Sequence, residues 1–191
     1  MKSTDQDLID QTLRGSKPAF GELVGRYQDR LFHSLTRVLG SSEDAKDTTQ
    51  EAFVNAYQKL HTYRGGAQFY SWLFRIALNS AVSLHRKKNH STTSLDAARE
   101  QLGQEPVDPR PAASPDAHLE LVEQQTLVRA ALAALPEEFR EVLVLKEIDG
   151  LKYEEIAEIV NCPVGTVRSR IFRARLELRT RLEVLLRRQE K

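Results

Sequence analysis

The sequence predicts an all-α fold of two small helical domains joined by a flexible linker, and three observations predict it. Apolar residues recur at i, i+3 and i+4 through long parts of residues 1–90 and 118–191. Strand-like alternation is absent throughout. Residues 91–117, "STTSLDAAREQLGQEPVDPRPAASPDA", contain four of the seven prolines and no apolar periodicity. Proline removes a backbone donor and blocks helix, and a stretch this poor in large apolar side chains cannot bury a core. Fully extended, the linker spans about 90 Å at about 3.3–3.6 Å per residue.

In chain order, a short opening helix from about Thr4 to Arg14 ends at Gly15. The next carries Phe20, Leu23, Val24, Tyr27, Leu31, Leu35, Val38 and Leu39 on one stripe and stops at Gly40. Ser41 and Ser42 then offer N-caps, with Glu43 and Asp44 in the first turn, where the helix dipole favours acids. The helix from Asp44 to Leu60 has Ala45, Thr49, Ala52, Phe53, Ala56 and Leu60 on its apolar stripe. "YRGGAQF" interrupts it with two glycines, and a further helix runs from about Phe69 to Lys88. The second domain opens with a helix from His118 to Leu135, followed by one that Pro136 starts as its first residue and Asp149–Gly150 ends. "YEEIAEIV" (153–160) is a short third helix, "NCP" a turn, and the rest a long final helix.

The net charge is only +1, yet the charges are sorted. Residues 118–163 carry 4 basic and 10 acidic side chains, whereas 164–188 carry 8 basic and 2 acidic. Such segregation presents separate faces to separate partners. The single cysteine, Cys162, excludes a disulfide framework and a cysteine-rich metal site. The five histidines show no metal-ligand spacing, and no glycine-rich phosphate loop or nucleophile motif occurs. Neither a signal peptide nor an apolar run of membrane-spanning length is evident. The expectation is a cytoplasmic protein that is not an enzyme, takes no cofactor or metal, and inserts into no membrane.

Along the final helix Val164, Val167, Ile171, Ala174, Leu178, Leu182 and Leu185 form one buried stripe, leaving arginines 168, 170, 173, 175, 179 and 181 on the remaining surface. Two readings stand: a solvated basic face, or a helix that meets nucleic acid. Three details favour the second. Within the helix only Glu177 and Glu183 offer i,i+4 partners. Gly165, Thr166 and Ser169 allow close approach at its N-terminus. A short helix and tight turn precede it, with Ile156, Ala157, Val160 and Val167 placed as the core of a helix-turn-helix. In that motif the second helix enters the DNA major groove, where arginine pairs bidentately with guanine. The candidates are Thr166, Arg168, Ser169, Arg170, Phe172, Arg173 and Arg175, with Arg179 and Arg181 as phosphate contacts or solvated charges.

"LPEEFREVLVLKEIDGLKYEEIAEIVNCPVGTVRSRIFRAR" resembles region 4 of bacterial extracytoplasmic-function sigma factors, most closely the sigma-E-like group, and "EDAKDTTQEAFVNAYQKLHTYRGGAQFYSWLFRIALNSA" resembles region 2. The resemblance implies residues 1–90 as region 2, 91–117 as linker and 118–191 as region 4. It implies core RNA polymerase as partner, through the β′ clamp coiled coil and the β flap, with promoter DNA and an anti-sigma factor as further partners. Asp47, Gln50, Glu51 and Phe53 are its polymerase contacts, though Phe53 fits the internal stripe equally well. The −10 element falls to Tyr63, Arg64, Gly65, Gly66, Ala67, Gln68, Phe69 and Asn79, the loop holding a flipped-out base, and the −35 element to the final helix. Phe69, Tyr70, Trp72 and Phe74 read mostly as core aromatics, with a subset available for stacking bases. Lys152 stands where a serine cap is usual, a loss of about 1 kcal/mol. The rival is a stand-alone helix-turn-helix repressor, which needs neither "DTTQEAF" nor the aromatic loop.

Overall fold

The computed structural model describes residues 3–66, 68–91 and 115–189, and their side chains except at 84–91, 115–121 and 188–189. The expected linker and Ala67 therefore lie outside the described residues, apart from the linker's ends. Eight α-helices make up the described chain: α1 (Asp5–Leu13), α2 (Lys17–Leu39), α3 (Ser42–Lys59), α4 (Phe69–Ser91), α5 (Pro115–Ala133), α6 (Glu137–Glu147), α7 (Tyr153–Ile159) and α8 (Val164–Gln189). A 3₁₀ turn, Leu60–Thr62, follows α3.

Local chemistry sets most of these boundaries. Thr4 and Asp7 close a capping box at α1, with the Asp7 amide donating to Thr4 Oγ1 at 3.2 Å and the Thr4 amide to Asp7 at 2.9 Å. The Thr4 hydroxyl, donating to the Asp7 carboxylate at 2.7 Å, and then the Thr4 amide hold the Asp7 carboxyl below its usual range. Ser41 Oγ accepts from the Asp44 amide at 3.1 Å and starts α3. Gly40 ends α2 at φ 73°, a conformation that costs other residues strain.

Two boundaries differ from expectation. Pro136 is the N-cap of α6, not its first residue, because its ψ of 142° is extended; its carbonyl accepts from the Phe139 and Arg140 amides. Lys152 has no side-chain acceptor to cap α7, yet Glu155 reaches back to accept the Lys152 amide at 2.9 Å. Half of a capping box thus survives the missing hydroxyl. In addition, α5 begins at Pro115, inside the stretch read as linker, since a proline in a helix's first turn needs no N–H partner.

Helices α1 to α4 pack together, α2 on α3 and α3 on α4, with Asn55 Nδ2 donating to Ser80 Oγ at 3.0 Å between the last pair. Arg26 and Tyr27 of α2 both donate to the Asp5 carboxylate and clip α1 in place. In the other half α5, α6 and α7 each pack on α8. A single buried apolar cluster nevertheless runs through both halves, from Leu8, Leu35 and Phe74 to Leu145, Ile156 and Ile171, where α2 meets α6 and α4 meets α7. A smaller cluster of Leu132, Leu135, Leu143 and Ala174 sits under α5.

Candidate nucleic-acid and polymerase interfaces

The first half of α8 is built for presentation. Val167, Ile171 and Ala174 are buried, which fixes the helix on its support and leaves Arg168, Ser169, Phe172 and Arg173 exposed. The turn from α7 passes through Asn161 at φ 50°, a left-handed position that asparagine tolerates better than most residues. Thr166 is half-buried, and its carbonyl accepts from Ser169 Oγ at 2.9 Å. Phe172 stands 71% exposed. An aromatic so placed beside arginines offers apolar contact to a thymine methyl, a base-edge signal of the major groove.

The arginines are not equivalent. Arg170 pairs with Glu138 at 2.7 Å, and Arg175 with Glu147 at 2.5 Å. Arg179 and Arg181 pair within the helix with Glu183 and Glu177, at 3.0 and 2.6 Å. Arg168 lies 5.6 Å over the Tyr153 ring, and Arg173 makes no hydrogen bond or ion pair among the described residues. Within α8 the i,i+4 partners are Glu177 and Glu183, as expected; two more carboxylates come from α6. Spacing along one helix misses the carboxylates that α6 supplies from across the packing. Arg168 and Arg173 remain exposed with no carboxylate holding them among the described residues, Arg168 resting near Tyr153.

In the loop before α4, Arg64, Gly65, Gly66 and Gln68 are exposed, and Gly65 takes φ 71°, which suits glycine. Phe69 is only 2% exposed, so it anchors the loop from beneath and does not reach a strand. Tyr70, Trp72 and Phe74 are likewise buried. Half-buried Tyr63 lies edge-on to Phe69 and Trp72, at 5.9 and 5.4 Å, and is the loop's accessible aromatic. Burial and the nearby Asp5 charge raise its hydroxyl pKa. Asn79 is exposed on α4. Arg75, exposed one turn earlier on the same face, is a basic residue that motif matching passed over. On the α1 side a cleft of about 540 Å³ is lined by Gln6, Arg26, Tyr27, Tyr63, Gln68 and Phe69.

On α3, Asp47 and Gln50 are exposed and Glu51 is half-buried. Phe53 is 7% exposed and packs edge-to-face on Phe20 at 6.4 Å, so its role as a surface anchor is corrected to a core one. The apolar groups exposed on α3 are Val54, at 57%, and, one turn on, Tyr57, at 41%. Asp47, Gln50, Glu51 and Val54 are spaced i, i+3, i+4 and i+7, one continuous face. That spacing was available in the sequence.

A second outer surface is apolar. Val128 and Leu132 of α5, Leu143 and Ile148, and Leu178, Leu182 and Leu186 of α8 line a groove of about 580 Å³, with Glu147, Arg175, Arg179 and Glu183 at its rim. Val128, Ile148 and Leu186 are at least two-fifths exposed. No helix among the described residues is long and apolar enough to cross a membrane, and no cluster there could hold a metal ion.

Comparison with known proteins accounts for both halves. Residues 23–91 match Sigma-70 region 2, and residues 125–178 match Sigma-70, region 4. The ECF RNA polymerase sigma-E factor of Haemophilus influenzae is 38% identical over 188 residues, 96% of this chain and 97% of the relative. The RNA polymerase sigma-H factor of Pseudomonas aeruginosa is 39% identical over 187 residues, 96% of each. Among solved structures, CnrH in complex with the cytosolic domain of CnrY aligns with a TM-score of 0.66 and 30% identity, covering 94% of this chain and 97% of that one. The sigma factor RpoE of Bartonella quintana, bound to the anti-sigma factor NepR, gives 0.71 and 25%, covering 86% and 97%.

Proposed function

The chain belongs to the sigma-70 family, in its extracytoplasmic-function group, and on that premise we propose that it is the promoter-reading subunit of a bacterial RNA polymerase. The observation that carries the reading is the outward face of α8, where Arg168, Phe172 and Arg173 stand clear on a helix-turn-helix scaffold. In this reading α8 enters the major groove at the −35 element, with Thr166 and Ser169 beside the bases or phosphates. Residues 63–68, with Arg75 and Asn79, take the −10 element as a single strand. Tyr63 offers a stacking surface, and the arginines follow the phosphates.

The α3 face, Asp47, Gln50, Glu51 and Val54, suits a basic helix such as the clamp coiled coil of the β′ subunit, with Val54 as its apolar anchor. The groove between α5, α6 and α8 suits an apolar helix, from the β flap or from an anti-sigma protein. Bond making stays with the polymerase; this chain supplies no catalytic group and works in the cytoplasm. Purified chain mixed with core RNA polymerase is expected to co-elute with it and to start transcription at a defined set of promoters, read by mapping transcript 5′ ends. Co-elution failing at physiological salt, or starts no different from core alone, refutes the reading.

A further inference from the structure

Four arginines of α8 are held by carboxylates: Arg170 by Glu138, Arg175 by Glu147, Arg179 by Glu183 and Arg181 by Glu177. Such pairing occupies N–H donors, and a base edge that wants them must first displace the acid. Arg168 is held differently. Its guanidinium lies over the face of the Tyr153 ring, 5.6 Å from the centroid, and has no ion pair among the described residues. A ring face attracts the cation through its quadrupole and takes none of the fork's donors.

The ring itself belongs to the scaffold. Tyr153 is the first residue of α7, at a helix start that Glu155 fixes by accepting the Lys152 amide at 2.9 Å. It is half-buried and packs on the apolar cluster that contains Ile156, Val167 and Ile171. Lys146 of α6 sets its ammonium 4.8 Å from the centroid of the same ring and donates to the Leu151 carbonyl at 3.0 Å. Helix α6, the turn after it and α7 thus all bear on where the ring sits, and Arg168 rests against it from the exposed side of α8. Arg173, equally exposed, has neither acid nor ring beside it among the described residues.

The consequence is preorganisation. A free arginine loses side-chain freedom when a guanine edge fixes its fork in one plane, whereas a confined one has less to lose. The gain falls on the bidentate base contact, because a phosphate accepts the charge from many rotamers. We propose that Tyr153 is a positioning residue for −35 recognition, its ring holding the Arg168 guanidinium ready for a base edge while leaving every donor free. The proposal rests on the −35 reading given above and goes beyond it, since Tyr153 lies on the supporting helix and not on the one that enters the groove. Two arginines of one face then play different parts: Arg168 is preset, and Arg173 adapts.

Two measurements test it. In nuclear magnetic resonance spectra of the free full chain with isotope-labelled arginine, ring-current shielding is expected to place the Arg168 side-chain protons upfield of those of Arg173. Tyr153→Leu should remove the difference. Coincident Arg168 and Arg173 shifts in the wild type overturn the proposal without any DNA. The second measurement uses the chain bound to core polymerase, in gel shifts on a duplex promoter taken from the mapped transcript starts and on each single-base variant of its −35 element. Arg168→Ala is expected to abolish the preference at one base pair. Tyr153→Leu should lower the preference at that pair about two- to fivefold, Tyr153→Phe should restore it, and Tyr153→Leu should add nothing in an Arg168→Ala background. Circular dichroism checks that each variant is folded. A loss spread evenly over all sequences, or a Tyr153→Phe variant as impaired as Tyr153→Leu, overturns the proposal, because the ring face then has no part in reading. So does a preference unchanged in Tyr153→Leu but lost in Arg168→Ala, which leaves the −35 reading standing. If Arg168→Ala keeps every preference, the −35 assignment of Arg168 falls, and the proposal with it.

Discussion

Neighbouring residues Phe53 and Val54 make opposite predictions, and the structure sets the size of each. Phe53 is 7% exposed and packs edge-to-face on Phe20. Replacing it with leucine keeps most of the buried volume but forfeits the aromatic pair, worth about 0.5–1.5 kcal/mol, and leaves some misfit. A loss of about 1–2 kcal/mol lowers Tm by roughly 5–15 °C in a unit of this size. Val54 is 57% exposed, so Val54→Ala changes stability by no more than about 0.5 kcal/mol. If Val54 anchors the polymerase contact, its truncation instead costs about 1 kcal/mol of binding, roughly a fivefold rise in Kd. Thermal melts by circular dichroism and anisotropy titration with core polymerase, both well below the lower Tm, separate the two effects. The reasoning is refuted if Phe53→Leu weakens polymerase binding with Tm unchanged, or if Val54→Ala lowers Tm and leaves Kd alone.

Arg173→Ala is expected to cost about 1–3 kcal/mol at a −35 base pair, read by gel shift across single-base variants, and Arg168→Ala a similar amount. Arg175→Ala should weaken binding less and evenly across sequences, because Glu147 already holds that side chain. Glu141 carries a pH signature: burial, then the nearby Glu137 charge, push its carboxyl up to about 7, partly offset by Arg170. Its folded pKa lies above the unfolded one, so its contribution is fully present below about pH 4.5 and is lost as pH rises to about 7. Melts of Glu141→Gln should therefore show a higher Tm than wild type at pH 8, on the order of 1 kcal/mol, and little gain at pH 5. Leu186→Asp in the groove of α5, α6 and α8 should leave DNA binding intact while weakening the polymerase complex severalfold, measured by co-elution.

Helix positions and the buried stripe of α8 were legible because they depend on spacing within one segment. The stripe Val167, Ile171 and Ala174 is buried as its period requires, and Gly40 and Ser41 mark ends by their own backbone chemistry. What depends on two segments was not legible. The partners of Arg170 and Arg175 come from α6, at Glu138 and Glu147, and no i,i+4 count along α8 can find them. The same limit explains the aromatics of α4. Their clustering suits a stacking platform and a core equally, and it takes the packing of α3 and α7 on α4, with Tyr27 of α2 against Phe69, to bury them. Phe53 and Val54 are the exception, since the helical face defined by Asp47, Gln50 and Glu51 already selects Val54.

Asp149 shows why the contact between the domains can be specific without being permanent. Its side chain is buried, and while Oδ1 accepts from Tyr70, Ser34 and Arg30, Oδ2 has no hydrogen-bond partner among the described residues. Burying a carboxylate is costly, and an ion pair repays that cost only when its remaining lone pairs are satisfied. Here the pairing is partial, and Arg30 is 43% exposed at its side chain, so water screens much of the attraction. Separation returns both groups to full hydration. The electrostatic part of the contact is therefore small in net, although it is strict about register, because no other arrangement gives the carboxylate these donors. The apolar surface joined between α2 and α6 supplies the rest of the hold. A partner that binds only the separated domains needs to favour them by just a few kcal/mol to shift the balance. Core polymerase engaging the α3 face and the α5–α8 groove together would meet that requirement.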